Sequence, residues 1–150
     1  MEPTPHLPDC PDYTDYDTRL GGYAVVVREG HVLLAPWNEP EVPMWTLPGG
    51  GIELHEELED GVVREVREET GYDVEVGRLL GVDTRVTAPD ERFQPVGDRF
   101  QKNVRVVYEA TVAGGDLVHE VDGTTDEARW IPLTDVPGLH REPMVRRFVG

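Results

Sequence analysis

The sequence predicts an α+β fold, a mixed sheet packed between helices, and three observations carry that expectation. Two apolar runs, Gly21 to Arg28 (GGYAVVVR) and His31 to Trp37 (HVLLAPW), flank Glu29-Gly30, the pattern of a hairpin of two antiparallel strands. A proline-free stretch from Glu56 to Thr70 carries Leu58, Val62 and Val66 at the helical period, and Gly71 stops it as a C-terminal cap. Val74 to Val86 and Arg99 to Val112 then read as further strands, the second alternating Val104, Val106 and Tyr108 with Arg105 and Val107.

The connecting segments follow from composition. Residues 1 to 18 hold four prolines before Asp12, bury little and read as an arm that is ordered only if it docks, with one domain over 19–150. Pro36, Pro40 and Pro43 break the pattern after the hairpin, and Thr87 to Asp98 and Gly114 to Asp126 are polar loops. Trp130 to Leu133 follows, and Arg141 to Val149 predicts a closing helix.

Charge and length exclude several functions. The 150 residues suit one domain and one site. A net charge of −16 disfavours nucleic-acid polymers and anionic membranes, and no apolar run approaches the roughly 20 residues of a membrane helix. The opening residues carry no basic start and no apolar run, so the expected compartment is cytoplasmic. Cys10, the one cysteine, cannot form an internal disulfide. A phosphate-bearing substrate would need local help, from a cation held by carboxylates or from arginines, which supply 13 of the 14 Lys and Arg residues because only Lys102 is a lysine.

The helix supplies the first of these. At about 100° per residue, Glu65 and Glu69 fall beside the Leu58/Val62/Val66 stripe, whereas Glu57, Asp60, Arg64 and Arg67 fall on the opposite side. Two inward carboxylates at i and i+4 repel each other and lose hydration, and Glu68 adds a third. A hard cation such as Mg²⁺ is their natural partner, and it takes substrate phosphates as remaining ligands. Incidental glutamates paired with Arg64 and Arg67 are the competing explanation on geometry alone. The Gly49-Gly50-Gly51 turn before the helix lets backbone approach a ligand.

Spacing sharpens this further. Gly50, Glu56 and then Arg64-Glu65-Val66-Arg67-Glu68-Glu69-Thr70-Gly71-Tyr72 match, at every charged and glycine position, the signature of the Nudix hydrolases, which this chain resembles. The departures are Tyr72 in place of an aliphatic residue, His55 before the first glutamate, and Gly61 within the helix, where Ala would favour it by about 1 kcal/mol. The resemblance implies an α/β/α sandwich and a metal site at Gly50, Glu65, Glu68 and Glu69 for Mg²⁺ or Mn²⁺. It further implies that Arg64 orients the glutamates and that Glu56, with Gly50 and Gly71, supports the loop. The implied reaction is hydrolysis of the diphosphate in a nucleoside diphosphate linked to another moiety, a small nucleotide-type substrate; a homodimer is compatible with it.

Outside the signature the sequence discriminates less. Glu127, with Asp126 and Glu120 as alternates, stands where a loop acid would serve as base, and a solvated acidic loop explains these residues equally well. Trp37, Trp45, Phe93, Phe100 and Tyr108 are candidates to stack on a base. Arg85, Arg92, Arg99 and Arg105 are candidates for phosphate or sugar contacts. Pro89 lies close to where ADP-ribose-cleaving members of the family carry a proline. The alternative of a silent Nudix-fold binding or regulatory module predicts lost glutamates, and none is lost; no EF-hand alternation supports a Ca²⁺-binding protein.

Overall fold

A computed structural model of the chain describes residues 10–38, 40–92, 97–118 and 127–150. Strand β1 (Asp17–Arg28) is its spine. It turns through Glu29 and Gly30, both at positive φ, into β2 (His31–Trp37), with Val27 opposite Val32. That is the two-residue hairpin read from the apolar runs. Two short strands missed in the sequence, β3 (Met44–Thr46) and β4 (Gly49–Gly51), pair with β2 and β1. Three residues carry too little periodicity to be seen.

Helix α1 (Leu58–Thr70) leads into β5 (Tyr72–Thr87), which pairs antiparallel with β6 (Gln101–Gly115). β6 then runs parallel to β1, from Asp17 opposite Gln101 to Val26 opposite Ala110. The described strand order is β3-β2-β1-β6-β5, with β7 (Arg129–Pro132) on β2. A 3₁₀ turn over Leu133–Gly138 and a short helix α2 (Pro143–Phe148) close the chain.

Alternation along β1 builds two cores. Ala24 and Val26 face α1 with Val62, Val66, Leu33 and Val106. Val25 faces the other way, with Val32, Leu34, Val107, Val136, Met144 and Val145. The sheet is thus packed on both faces, as the α/β/α expectation requires.

Several boundaries differ from expectation. β1 begins at Asp17, inside the arm, because Asp17 is held by Arg92 (2.9 Å) and Arg99 (2.7 Å), which also keep its carboxyl below the usual range, Arg99 foremost. The polar loop after β5 contains a 3₁₀ turn opened by Pro89. Tyr72, the aromatic departure, is buried, and its hydroxyl accepts from Trp130 Nε1 at 2.9 Å. Gly61 is a close-packing site: a Cβ there would meet Ile52 Cδ1 at 2.5 Å and Glu56 Oε1 at 2.9 Å. The stretch therefore trades helix propensity for approach of α1 to the signature loop.

Gly71 caps α1 at φ 86°, its N–H bonded to the Arg67 carbonyl, and a Cβ would collide with the Asp116 carbonyl. Gly71→Ala should cost about 2 kcal/mol or more in urea unfolding, from left-handed strain plus the clash; an unchanged midpoint would show the cap to be dispensable. Removing residues 1–16 should leave the melting temperature within about 2 °C, whereas removing 1–18 should lower it by several degrees through loss of the Asp17 pairs. Thermal melts of the two truncations check this.

Candidate active site

The functional wall is built by β4 and α1. β4 lies antiparallel to β1, Gly22 opposite Gly50 and Tyr23 opposite Gly49, which lays the glycines on the N-terminal half of the spine. α1 crosses so closely that the Glu65 carboxyl occupies the space a Gly50 side chain would take. One helical turn on, Glu69 Oε2 accepts from the Gly49 N–H at 3.2 Å. Both inward glutamates of the helical period therefore meet the glycine strand, and Glu57 lies on the exposed side.

Arg64 departs from its helical-wheel position. Its long side chain curls back over the signature loop, donating to Glu56 (2.6 and 3.0 Å), Glu65 (3.1 Å), Glu68 (3.3 Å) and the Gly51 carbonyl (3.0 Å). Glu53 lies 3.9 Å away. Glu56 in turn accepts from the Glu53 N–H at 2.9 Å. These Arg64 bonds, then that N–H, hold the Glu56 carboxyl at about 2. Glu68 stays on the rim, its side chain 59% exposed.

One guanidinium does not balance this many carboxylates. Glu69 is partly open to solvent along its length, yet its carboxyl is pushed up to about 8. Desolvation is the largest cause and the charges of Glu65 and Glu68 add to it, against the lowering by the Gly49 N–H. No three His, Cys, Asp or Glu side chains converge as a finished metal cage among the described residues. The donors are hard oxygens with an unmet need for positive charge, which suits Mg²⁺ or Mn²⁺ better than a softer metal.

Glu65 and Glu69 form one side of an open cleft of about 1200 Å³, with Gly49, Gly50 and Gly51 beside them. Arg19, Arg85, Arg92 and Arg105, with Trp37, also line it. Arg105 is buried and bonded to Glu142 (2.7 Å) and Asp83. Burial acts to lower its pKa, but Glu142 and Asp83 outweigh it. Glu142, 1% exposed, also caps α2 through the Met144 N–H.

Other candidates fall elsewhere. Glu127 precedes buried Ala128 and is not among the cleft residues; Glu120, Asp126 and Phe93 lie outside the described residues. Arg99 pairs with Asp17, Trp45 packs in the second core and Tyr108 in the first. Phe100 is exposed away from the cleft, and exposed Cys10 is a free thiol. The reading outside the signature missed Arg19, Tyr23 and Glu142. Only Glu142-Pro143, a polar cap before a proline at the first helical turn, left a local trace.

Comparison with known proteins agrees with this arrangement. The family model of the NUDIX domain matches residues 18–148. A candidate 8-oxo-dGTP diphosphatase of Bacillus subtilis (strain 168) is 30% identical over 128 residues, covering 81% of this chain and 75% of its own length. An ADP-ribose pyrophosphatase of Methanocaldococcus jannaschii is 33% identical over 116 residues; the chain spans 77% of itself but only 62% of that relative. The crystal structure of a MutT NUDIX hydrolase from Burkholderia pseudomallei superposes with a TM-score of 0.68 at 28% identity, covering 89% of this chain and 96% of the other. With Gly50, Glu65 and Glu69 of the signature lining one cleft and the domain matched over residues 18–148, the chain belongs to the NUDIX domain family and is a Nudix hydrolase.

Proposed function

We propose that the protein hydrolyses the diphosphate bond of a nucleoside diphosphate linked to another moiety, a nucleotide, ADP-ribose or a sugar nucleotide, with Mg²⁺ or Mn²⁺. The observation that carries this is that Glu65 and Glu69, crowded on a glycine strand, line one cleft together with four arginines. The two relatives' names, one for a modified nucleotide and one for ADP-ribose, support the substrate class without separating its members.

Glu65, Glu69 and the rim residue Glu68, with Gly50, would hold the cation, which supplies Lewis acidity to the phosphate oxygens and to the attacking water. Arg64 fixes Glu65 and Glu68 by ion pairs, and Glu56 fixes Arg64. Glu65 and Glu69 are favoured over Glu127 to accept the water's proton, because they line the cleft and Glu127 does not. Trp37 beneath Arg85 (5.5 Å) offers a flat platform for a base.

Activity should vanish in excess EDTA and return with Mg²⁺; full turnover under chelation would overturn the reading. A screen over nucleoside triphosphates, ADP-ribose, sugar nucleotides, dinucleoside polyphosphates and NADH identifies the substrate by its products. Glu65→Gln and Glu69→Gln should each lower kcat at least about a hundredfold, whereas Glu57→Gln should change it by less than about twofold. Equal, small effects at all three positions would remove the metal-site assignment.

The metal-free protein offers an independent check. The Glu69 carboxyl sits at about 8, above its ordinary 4.5, so the folded state binds more protons than the unfolded chain between those values. Stability should therefore fall as pH rises from about 4.5 to 8, and chelated Glu69→Gln should melt higher than wild type at pH 9. Saturating Mg²⁺ should reverse that order. A Glu69→Gln variant that melts at or below wild type in EDTA at pH 9 would show that the carboxylates are not crowded.

A further inference from the structure

The cleft's four arginines are not equivalent. Arg105 is clasped by Glu142 and Asp83, and Arg92 donates to Asp17 and to the Arg99 carbonyl. Arg85 stands 3.9 Å from Glu142 while covering Trp37. Arg19 differs. Half-buried on β1, it makes one hydrogen bond among the described residues, from Nη1 to the Tyr23 hydroxyl at 3.3 Å, and pairs with no described carboxylate. In a chain of net charge −16, a cation in the main cleft without a carboxylate partner is not explained by folding stability.

Its location gives it a task. The β1–β4 register sets Gly21 opposite Gly51 and Gly22 opposite Gly50. Glu65 lies over Gly50, and the nearest neighbour of a Cβ on Gly51 would be Arg19 Nη2, at 3.6 Å. Gly50 and Gly51 are successive strand residues that face opposite sides of β4, so Glu65 packs on one side of the bare glycine strand and Arg19 on the other, and both border the same cleft. A planar fork with an unanswered charge suits phosphoryl oxygens.

Building on the proposed anhydride hydrolysis, we propose that Arg19 is the phosphate anchor of the cleft, taking phosphoryl oxygens of the diphosphate beside the glycine strand while the Tyr23 hydroxyl positions its guanidinium. Because Arg85, Arg92 and Arg105 already stand beside carboxylates, the Trp37–Arg85 platform is left for an uncharged ring rather than a second phosphate. The anhydride then sits beside Arg19 and the glycine strand, and the base or sugar on Trp37.

Calorimetric titration with adenosine 5′-(α,β-methylene)diphosphate in Mg²⁺ tests this without turnover. Arg19→Gln should weaken binding about tenfold to a hundredfold, and Arg19→Lys should recover part of the loss. Arg78→Gln, which removes the same charge from an exposed arginine outside the cleft, should change binding by less than about twofold. Equal weakening at Arg19 and Arg78, wild-type affinity in Arg19→Gln, or no binding by wild type at millimolar analogue would overturn the anchor. Turnover in the substrate screen alongside any of these results leaves the hydrolase reading intact and removes Arg19 alone. Selective loss at Arg19 in a protein that turns over no substrate would keep the anchor and overturn the hydrolytic reading.

Discussion

Everything at the site depends on one guanidinium set among too many carboxylates. Arg64 reaches Glu56, Glu65 and Glu68 within 3.3 Å and also ties down the Gly51 carbonyl. It thereby links the loop that enters the helix, the helix and the glycine strand into a single rigid corner. Each carboxylate alone would prefer water, and together they repel. The corner holds because the arginine supplies charge and direction at once, and because the fold anchors its two ends. At one end Glu56 is locked to Arg64 and the Glu53 N–H. At the other, Gly71 and the Tyr72–Trp130 bond fix the helix against β7.

The incomplete balance at this corner is what makes it chemically useful. A fully neutralised cluster would be a structural ion-pair network and nothing more. Here Glu69 sits against Gly49 with its carboxyl pushed up, short of a positive partner on the cleft side. The opposite wall reverses the arrangement: Arg92 and Arg105 are held by Asp17, Asp83 and Glu142, so they add donors to the cleft but little net charge. The −16 charge of the chain is thus organised locally, with carboxylates answering arginines on one wall and outnumbering them on the other.

How much of this could be read from the sequence depended on how local each feature is. The hairpin, α1 and its cap, β5 and β6 were visible because period and turn chemistry are written in consecutive residues. The inward pair Glu65 and Glu69 followed from helical spacing, since a helix fixes direction within a few residues. Arg64 did not, because four rotatable bonds carried its charge off the face on which its Cα lies. β4 is three glycines and has no side-chain pattern at all. Arg19, Arg105 and Glu142 share the cleft through pairings between β1, β6 and the α2 cap, which no local signal encodes.

The parallel seam between β1 and β6 has a kinetic corollary. Leu20 pairs with Val104, so closing the seam brings together positions 84 residues apart, whereas the β1–β2 hairpin closes over two. The entropy of that long closure must be met before its contacts give anything back. The hairpin and α1 can nucleate early. The cleft cannot, because the arginines of β1 and β6 share a wall only once the seam is zipped. A nascent or partly unfolded chain therefore carries the full signature without a binding site, and ligand capture reports completion of the topology rather than formation of the helix.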